Sequence, residues 1–194
     1  MSWYDFFKFV HVAASIVWVG GGLTFVALVA MANRKGDQAE VLRIFKTMIP
    51  YANRVFMQAA IVALVSGIVM LLILPQIGWG SPWILFGLLG FAVTGYLGGS
   101  QLGPRSARII ELEAKEGASP ATMALVAEVT KIARFDIILM FTIVADMVIK
   151  PMWPNWIVVV LFIAIVGGAG YYFLAPILRP PTAQPPTTQP PVSA

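Results

Sequence analysis

The sequence predicts an all-α membrane protein: an antiparallel four-helix transmembrane bundle with a fifth, peripheral transmembrane helix. Three observations carry the prediction. The chain is 59% hydrophobic and 11% charged, against about 45–50% and about 25% in a soluble domain. Five stretches reach the roughly 20 mostly apolar residues that a helix needs to cross a bilayer. The basic residues are sorted onto alternate connections between those stretches. Disorder is excluded, because it needs low hydrophobicity. Zero cysteines remove disulfide scaffolds, thiolate metal sites and thiol catalysis.

The first span is expected over 10–31, the second over 55–74 and the third, without a charge, over 83–102. The fourth, 132–149, is interrupted by Arg134, Asp136 and Asp146, and the fifth covers 156–178. No cleavable signal peptide is expected, since the N-terminus lacks a basic region and its apolar run is long enough to span.

The connections have structure of their own. Asp37 can cap a helix, with Glu40 completing a capping-box pattern. Val41, Ile44, Phe45, Met48 and Ile49 then keep the spacing of one helical face. This predicts an amphipathic surface segment that ends or kinks at Pro50. Ser119-Pro120 is an N-cap followed by a first-turn proline, and helix is expected without a break from Pro120 to Ile149, roughly 45 Å. Ser81-Pro82 and Asn155 are expected to cap the third and fifth spans. From Pro180 the chain reads PPTAQ, PPTTQ, PPVSA, a repeat that favours extended polyproline II and builds no core.

These elements divide the chain into a four-helix membrane domain (1–151), an additional transmembrane helix (152–178) and a proline-rich cytoplasmic tail (179–194). Eleven of the thirteen basic residues fall on one side; only Lys8 and Lys150 fall on the other. Positive charge is retained in the cytoplasm, so the N-terminus is expected outside and the C-terminus inside. The net charge of +4 reflects this sorting, and no nucleic-acid partner is expected. Trp3, Trp79, Trp83, Trp153 and Trp156 all fall at expected outer ends, where indole prefers the headgroup layer.

Charges at membrane depth mark function or pairing, and few are present. His11, the only histidine, and Asp146 fall at similar depth near the outer ends of the first and fourth spans. Arg54 and Asp136 fall together near the inner ends of the second and fourth. Structural readings exist for each. Asp146 precedes Lys150 by four residues, the favourable order for an ion pair, and Arg54 can snorkel or pair with Asp136. His11 can be a hydrogen-bonded packing residue. In the functional reading, His11 is an axial haem ligand or a copper ligand, with Asp146 as orienting partner. Met70, Met147 and Met152 are further soft ligands for copper. Gly95, Gly99 and Gly103 recur every four residues, and Gly167 belongs to a small-residue patch in the fifth span. Such stripes let helices approach closely in lipid. No enzyme motif stands out.

Lys8–Gly22, K-F-V-H-V-A-A-S-I-V-W-V-G-G-G, and Asp146–Pro151, D-M-V-I-K-P, resemble the first-span and last-span motifs of a bacterial family of predicted integral membrane proteins of unknown function. The resemblance covers about 4–151 and marks His11 and Asp146. It implies a bacterial inner membrane location. The first-span histidine is also similar to that of CopD-like copper-resistance proteins and HemJ-type protoporphyrinogen oxidases, both four-helix membrane bundles. HemJ implies haem bound at this histidine, helped by an intramembrane lysine; the second and third spans here hold none. CopD implies copper passage.

The function expected first is that of a non-catalytic accessory or assembly subunit of a larger membrane complex, its partners being the bilayer and other membrane subunits or itself. The fifth span, the tail and the scarcity of catalytic groups motivate it. The alternatives are a haem- or copper-binding protein using His11, and a small proton- or cation-coupled transporter using Asp146.

Overall fold

The computed structural model describes residues 2–74 and 78–178. The proline-rich tail with Arg179, and part of the connection 75–82, lie outside the described residues. Among the described residues there are seven α-helices: α1 (Trp3–Arg34), α2 (Gln38–Tyr51), α3 (Met57–Ile73), α4 (Pro82–Tyr96), α5 (Gly103–Glu116), α6 (Pro120–Ile149) and α7 (Trp156–Leu178). There is no strand among the described residues, so the all-α expectation holds.

α1 starts earlier than its apolar run. Ser2 accepts from the Asp5 amide at 3.1 Å and Asp5 returns the bond to the Ser2 amide, a capping box that satisfies orphan donors at the N-terminus. α6 has the expected bounds, and the Ser119 hydroxyl accepts from the Thr122 amide at 3.2 Å. Asp37 caps α2 as expected, accepting from the Glu40 amide at 2.9 Å. Glu40 does not complete the box; its carboxylate is taken by Arg43 at 2.6 and 2.7 Å.

The helix does not end at Pro50. It continues through a π-helical turn, Ala52–Phe56, directly into α3. Pro50 lacks the N–H that would bond one turn back, and the wider turn that follows absorbs the mismatch. A second π-helical turn, Leu97–Leu102, joins α4 to α5. α2 and α5 thus form a layer at the basic end of the bundle. The amphipathic face of α2 does not lie on lipid. Val41, Leu42, Ile44 and Phe45 are buried with Val29 and Ala32 of α1, Ile109 of α5 and Val126 and Val129 of α6.

Among the described residues, four helical stretches are long and apolar enough to cross a membrane: Trp3–Arg34, Gln38–Ile73, Pro82–Glu116 and Trp153–Ile177. α6, which holds the expected fourth span, is not among them, because Arg134, Asp136 and Asp146 interrupt its apolar half; it runs antiparallel to α4. Gly87 lies by Met147, Gly90 by Ile143 and Thr94 by Asp136. α1 is paired antiparallel with α3, from His11 beside Gly67 to Gly21 beside Phe56. The α1–α3 and α4–α6 pairs meet where Val19 packs with Ile137 and Met140. α7 lies against α6, with Val166, Ala169 and Phe173 packed on Phe135 and Leu139. Its remaining apolar face is exposed, as expected of a peripheral fifth helix.

The expected glycine seam is displaced. A Cβ at Gly95, Gly99 or Gly167 would meet nothing within 4 Å, and one at Gly103 would meet only the Gly98 carbonyl. The face of α4 turned to α6 runs through Gly87, Gly90, Thr94 and Leu97, at spacings of three and four, so Gly95 already lies off it before the π-helical turn begins at Leu97. Gly87 and Gly90 make the close approach to α6, and Gly170 is the glycine of α7 that nears Phe135.

Candidate functional site

Between the α1–α3 and α4–α6 pairs, in the half of the bundle away from α2 and α5, lies a cavity of about 620 Å³. The two pairs are in contact from Val19, Ile137 and Met140 down to the cluster of Val29 and Ala32 with Val126 and Val129, and the cavity lies beyond Val19. Its wall is almost wholly apolar. Trp18 and Phe91, ring centroids 5.4 Å apart, close it toward the α2/α5 layer. Val12 and Ile16 of α1 and Val144 and Val148 of α6 form one exposed rim.

His11 is in this wall. Its Nδ1 is 2.7 Å from the Ala63 carbonyl of α3. A carbonyl only accepts, so Nδ1 carries a proton, and in the neutral ring the lone pair is then on Nε2. Gly67 permits the approach; a Cβ there would lie 3.2 Å from the imidazole. The orienting group of His11 is therefore a backbone carbonyl of the neighbouring helix. Asp146, expected in that role, makes no hydrogen bond to His11 among the described residues. Nothing in the sequence distinguishes this one carbonyl, but Gly67 at the depth of His11 was a usable signal.

Asp146 is 2% exposed, and both its carboxyl oxygens are buried without a hydrogen-bond partner among the described residues. It lies beside Gly87, behind the cavity wall. The expected ion pair with Lys150 is not formed. Lys150 ends α6 in the left-handed region, with φ 50° and ψ 59°. It is thus off the helical path that an i,i+4 pair presumes, and its Nζ sits 5.3 Å from the centroid of the Trp83 ring. Lys8 and Lys150, the two cations of the non-basic side, both line the cavity.

Of the soft ligands expected for a metal, Met70 and Met147 line the same cavity as His11. Met152 does not; it is exposed in the connection after α6. No group of three or more His, Cys, Asp or Glu capable of holding a metal is present among the described residues.

Arg54 and Asp136 are not paired. Arg54 is exposed on the first π-helical turn, whereas Asp136 is 6% exposed and takes a 2.5 Å hydrogen bond from the Thr94 hydroxyl on its Oδ1. Thr94 was legible as the only small polar side chain between 83 and 96, at the depth of Asp136 once α4 and α6 are antiparallel.

A model described as a predicted integral membrane protein, DUF2269, matches residues 5–151. The chain belongs to the DUF2269 family. The matched region runs from the first turn of α1 through α6, and so contains both helix pairs, the α2/α5 layer and every residue of the cavity wall but Tyr4. It leaves out α7, the helix that touches the bundle from one side. No curated protein and no solved structure matches the chain.

Proposed function

We propose that this DUF2269 protein binds haem in the cavity between the helix pairs, with Nε2 of His11 as axial ligand. The observation that carries the reading is the 2.7 Å bond from His11 Nδ1 to the Ala63 carbonyl. It fixes the tautomer and the ring plane and leaves the other nitrogen free to donate its lone pair, as second-shell partners do for metal-bound histidines. The residues present fit the group. About 620 Å³ is within the range of about 300–1,000 Å³ typical of cofactor sites. Trp18 and Phe91 offer flat apolar surface, and Lys8 and Lys150 supply cations at the rim for two carboxylates. Met70 and Met147 are in the wall for a second axial bond. When bound, haem supplies an iron that exchanges electrons or holds a small molecule. The chain's own part is to hold the ring, exclude water and set the ligand field.

In this reading the protein sits in the bacterial inner membrane with α2 and α5 on the cytoplasmic side, following the sorting of its basic residues. The same His11, Met70 and Met147 set also suits copper(I). An accessory role in a larger complex draws no support from the geometry, because the exposed face of α7 is what a helix shows to lipid as well as to a subunit.

The test is the absorption spectrum and metal content of the purified full chain. The expected result is a Soret band, lost in His11→Ala and weakened in the Lys8→Ala/Lys150→Ala double variant. Copper without a Soret band, lost in His11→Ala, would replace haem with the copper reading. Neither haem nor copper would end both.

A further inference from the structure

A second, smaller cavity of about 170 Å³ lies at the junction of the bundle with the α2/α5 layer. Its wall is drawn from both parts: Met48 and Ile49 of α2, Ser106 of α5, and Ala133 and Asp136 of α6. Both π-helical turns border it, through Ala52 and Phe56 of the first and Leu102 of the second. Turns of this kind are rare and concentrate at functional sites. Two of them converging on one cavity from different helices is the first observation. The second is Asp136 itself. It is more than nine-tenths buried; Thr94 holds its Oδ1, and no protein group donates to Oδ2 among the described residues.

No other ionisable side chain lines this cavity. The nearest cations along the chain are placed elsewhere. Lys131 of α6 and Arg54 of the first π-helical turn are exposed, Arg105 of α5 bonds Gln101 and faces Glu128, and Arg134 of α6 makes no ion pair among the described residues. Neither Arg105 nor Arg134 lines the cavity. Asp136 therefore has no fixed counter-charge. A buried carboxylate without one needs a mobile positive species, and the cavity supplies the space. A water needs about 10–15 Å³ of such volume and polar partners; the wall is mostly apolar, and Ser106 and Asp136 are the hydroxyl and carboxyl side chains in it that water can bond.

We propose that this cavity is an aqueous vestibule through which Asp136 exchanges a proton with the α2/α5 side of the membrane. Oδ2 takes a proton from a hydronium in the vestibule, forming one O–H bond and releasing one water, and returns it by the reverse step. The Thr94 hydroxyl holds the other oxygen in place throughout. Trp18 and Met140 line both this cavity and the larger one. They form the septum that confines the exchange to one side.

The absence of cysteine makes the vestibule directly testable in the full chain in sealed vesicles. Ala133→Cys places a thiol in its wall. Leu139→Cys places one in the buried seam with α4 and α7. A charged, membrane-impermeant thiol reagent should modify Ala133→Cys from the α2/α5 side many-fold faster than Leu139→Cys. Ser106→Cys serves the same purpose should Ala133→Cys fail to fold. Infrared pH titration of the reconstituted protein should then show a protonated-carboxyl band that is lost in Asp136→Asn, shifted in Thr94→Val and retained in Asp146→Asn. Equal, slow labelling of both thiols would overturn the vestibule. A titration unchanged in Asp136→Asn, or a band displaced by sodium or potassium at fixed pH, would overturn the proton assignment.

Discussion

The two halves of this bundle are held together differently. At the α2/α5 end, apolar side chains from α1, α2, α5 and α6 close a core in which Val29, Val41 and Phe45 are fully buried. All four ion pairs found among the described residues lie on these same elements. At the opposite end the helix pairs leave the large cavity between them, with His11 in its wall. The difference follows from the solvent. Helices facing water gain from removing apolar area from it. Helices facing lipid do not, and associate through close packing and hydrogen bonds. The layer of amphipathic helices is thus the clamp of the molecule, and the opposite half keeps open space beside its core.

The largest effect should come from the clamp. Phe45 is 0% exposed and meets Phe25 edge to face, ring centroids 5.1 Å apart. Phe45→Ala should cost about 3–5 kcal/mol, the range for a fully buried aromatic. Phe91→Ala, in the wall of the large cavity, should cost under about 2 kcal/mol, since one side of that ring already lacks neighbours. Thermal unfolding in detergent, followed by circular dichroism, measures both. Equal losses would break the distinction between the halves.

The spans and α6 were legible because they rest on local signals: apolar length, caps and a first-turn proline. The clamp was half legible. The apolar face of α2 was visible as a 3/4 spacing, but what covers it depends on α5 folding back beneath it, and no local pattern encodes that. The rest lies in the π-helical turns and the packing face of α4. The first turn carries helix past Pro50 and the second joins α4 to α5 without a break, while the face of α4 on α6 runs through Gly87, Gly90 and Thr94 and leaves Gly95 off it. At the site, His11 was identifiable as the only histidine, while its true partner is a main-chain carbonyl that every residue possesses. Asp146 and Lys150 failed to pair because Lys150 leaves the helix in the left-handed region before Pro151.

An intermediate effect is expected at the α1–α3 seam. A Cβ at Gly21 would run into the ring of Phe56, which belongs to the first π-helical turn. An aromatic ring there cannot swing aside as the end of a methionine can. Gly21→Ala should therefore cost about 1–3 kcal/mol, as overpacking does. The adjacent Gly20 has nothing within 4 Å, and Gly20→Ala should be neutral or stabilise by up to about 1 kcal/mol through the reduced freedom of the unfolded chain. Unfolding midpoints of the two variants should move in opposite directions or differ clearly. Identical shifts would mean that the seam is looser than its geometry.

The smallest effect tests whether charge or burial closes the clamp. Lys46 of α2 donates to Glu113 Oε1 of α5 at 2.7 Å, and this is the one ion pair between these two helices among the described residues. The lysine side chain is half exposed, so its charge remains solvated when the pair opens, and such pairs contribute about 0.2–1 kcal/mol. Lys46→Ala should fall in that range. The loss should shrink in concentrated salt, because the screening length drops from about 10 Å at 0.1 M to about 3 Å at 1 M. The cost of Phe45→Ala should not shrink, since it arises from lost burial. Should Lys46→Ala instead destabilise as much as Phe45→Ala, and lose that effect in salt, the layer would be an electrostatic latch. The two helices would then separate without exposing a core, which the burial of Val41 and Phe45 against α1 and α6 argues against.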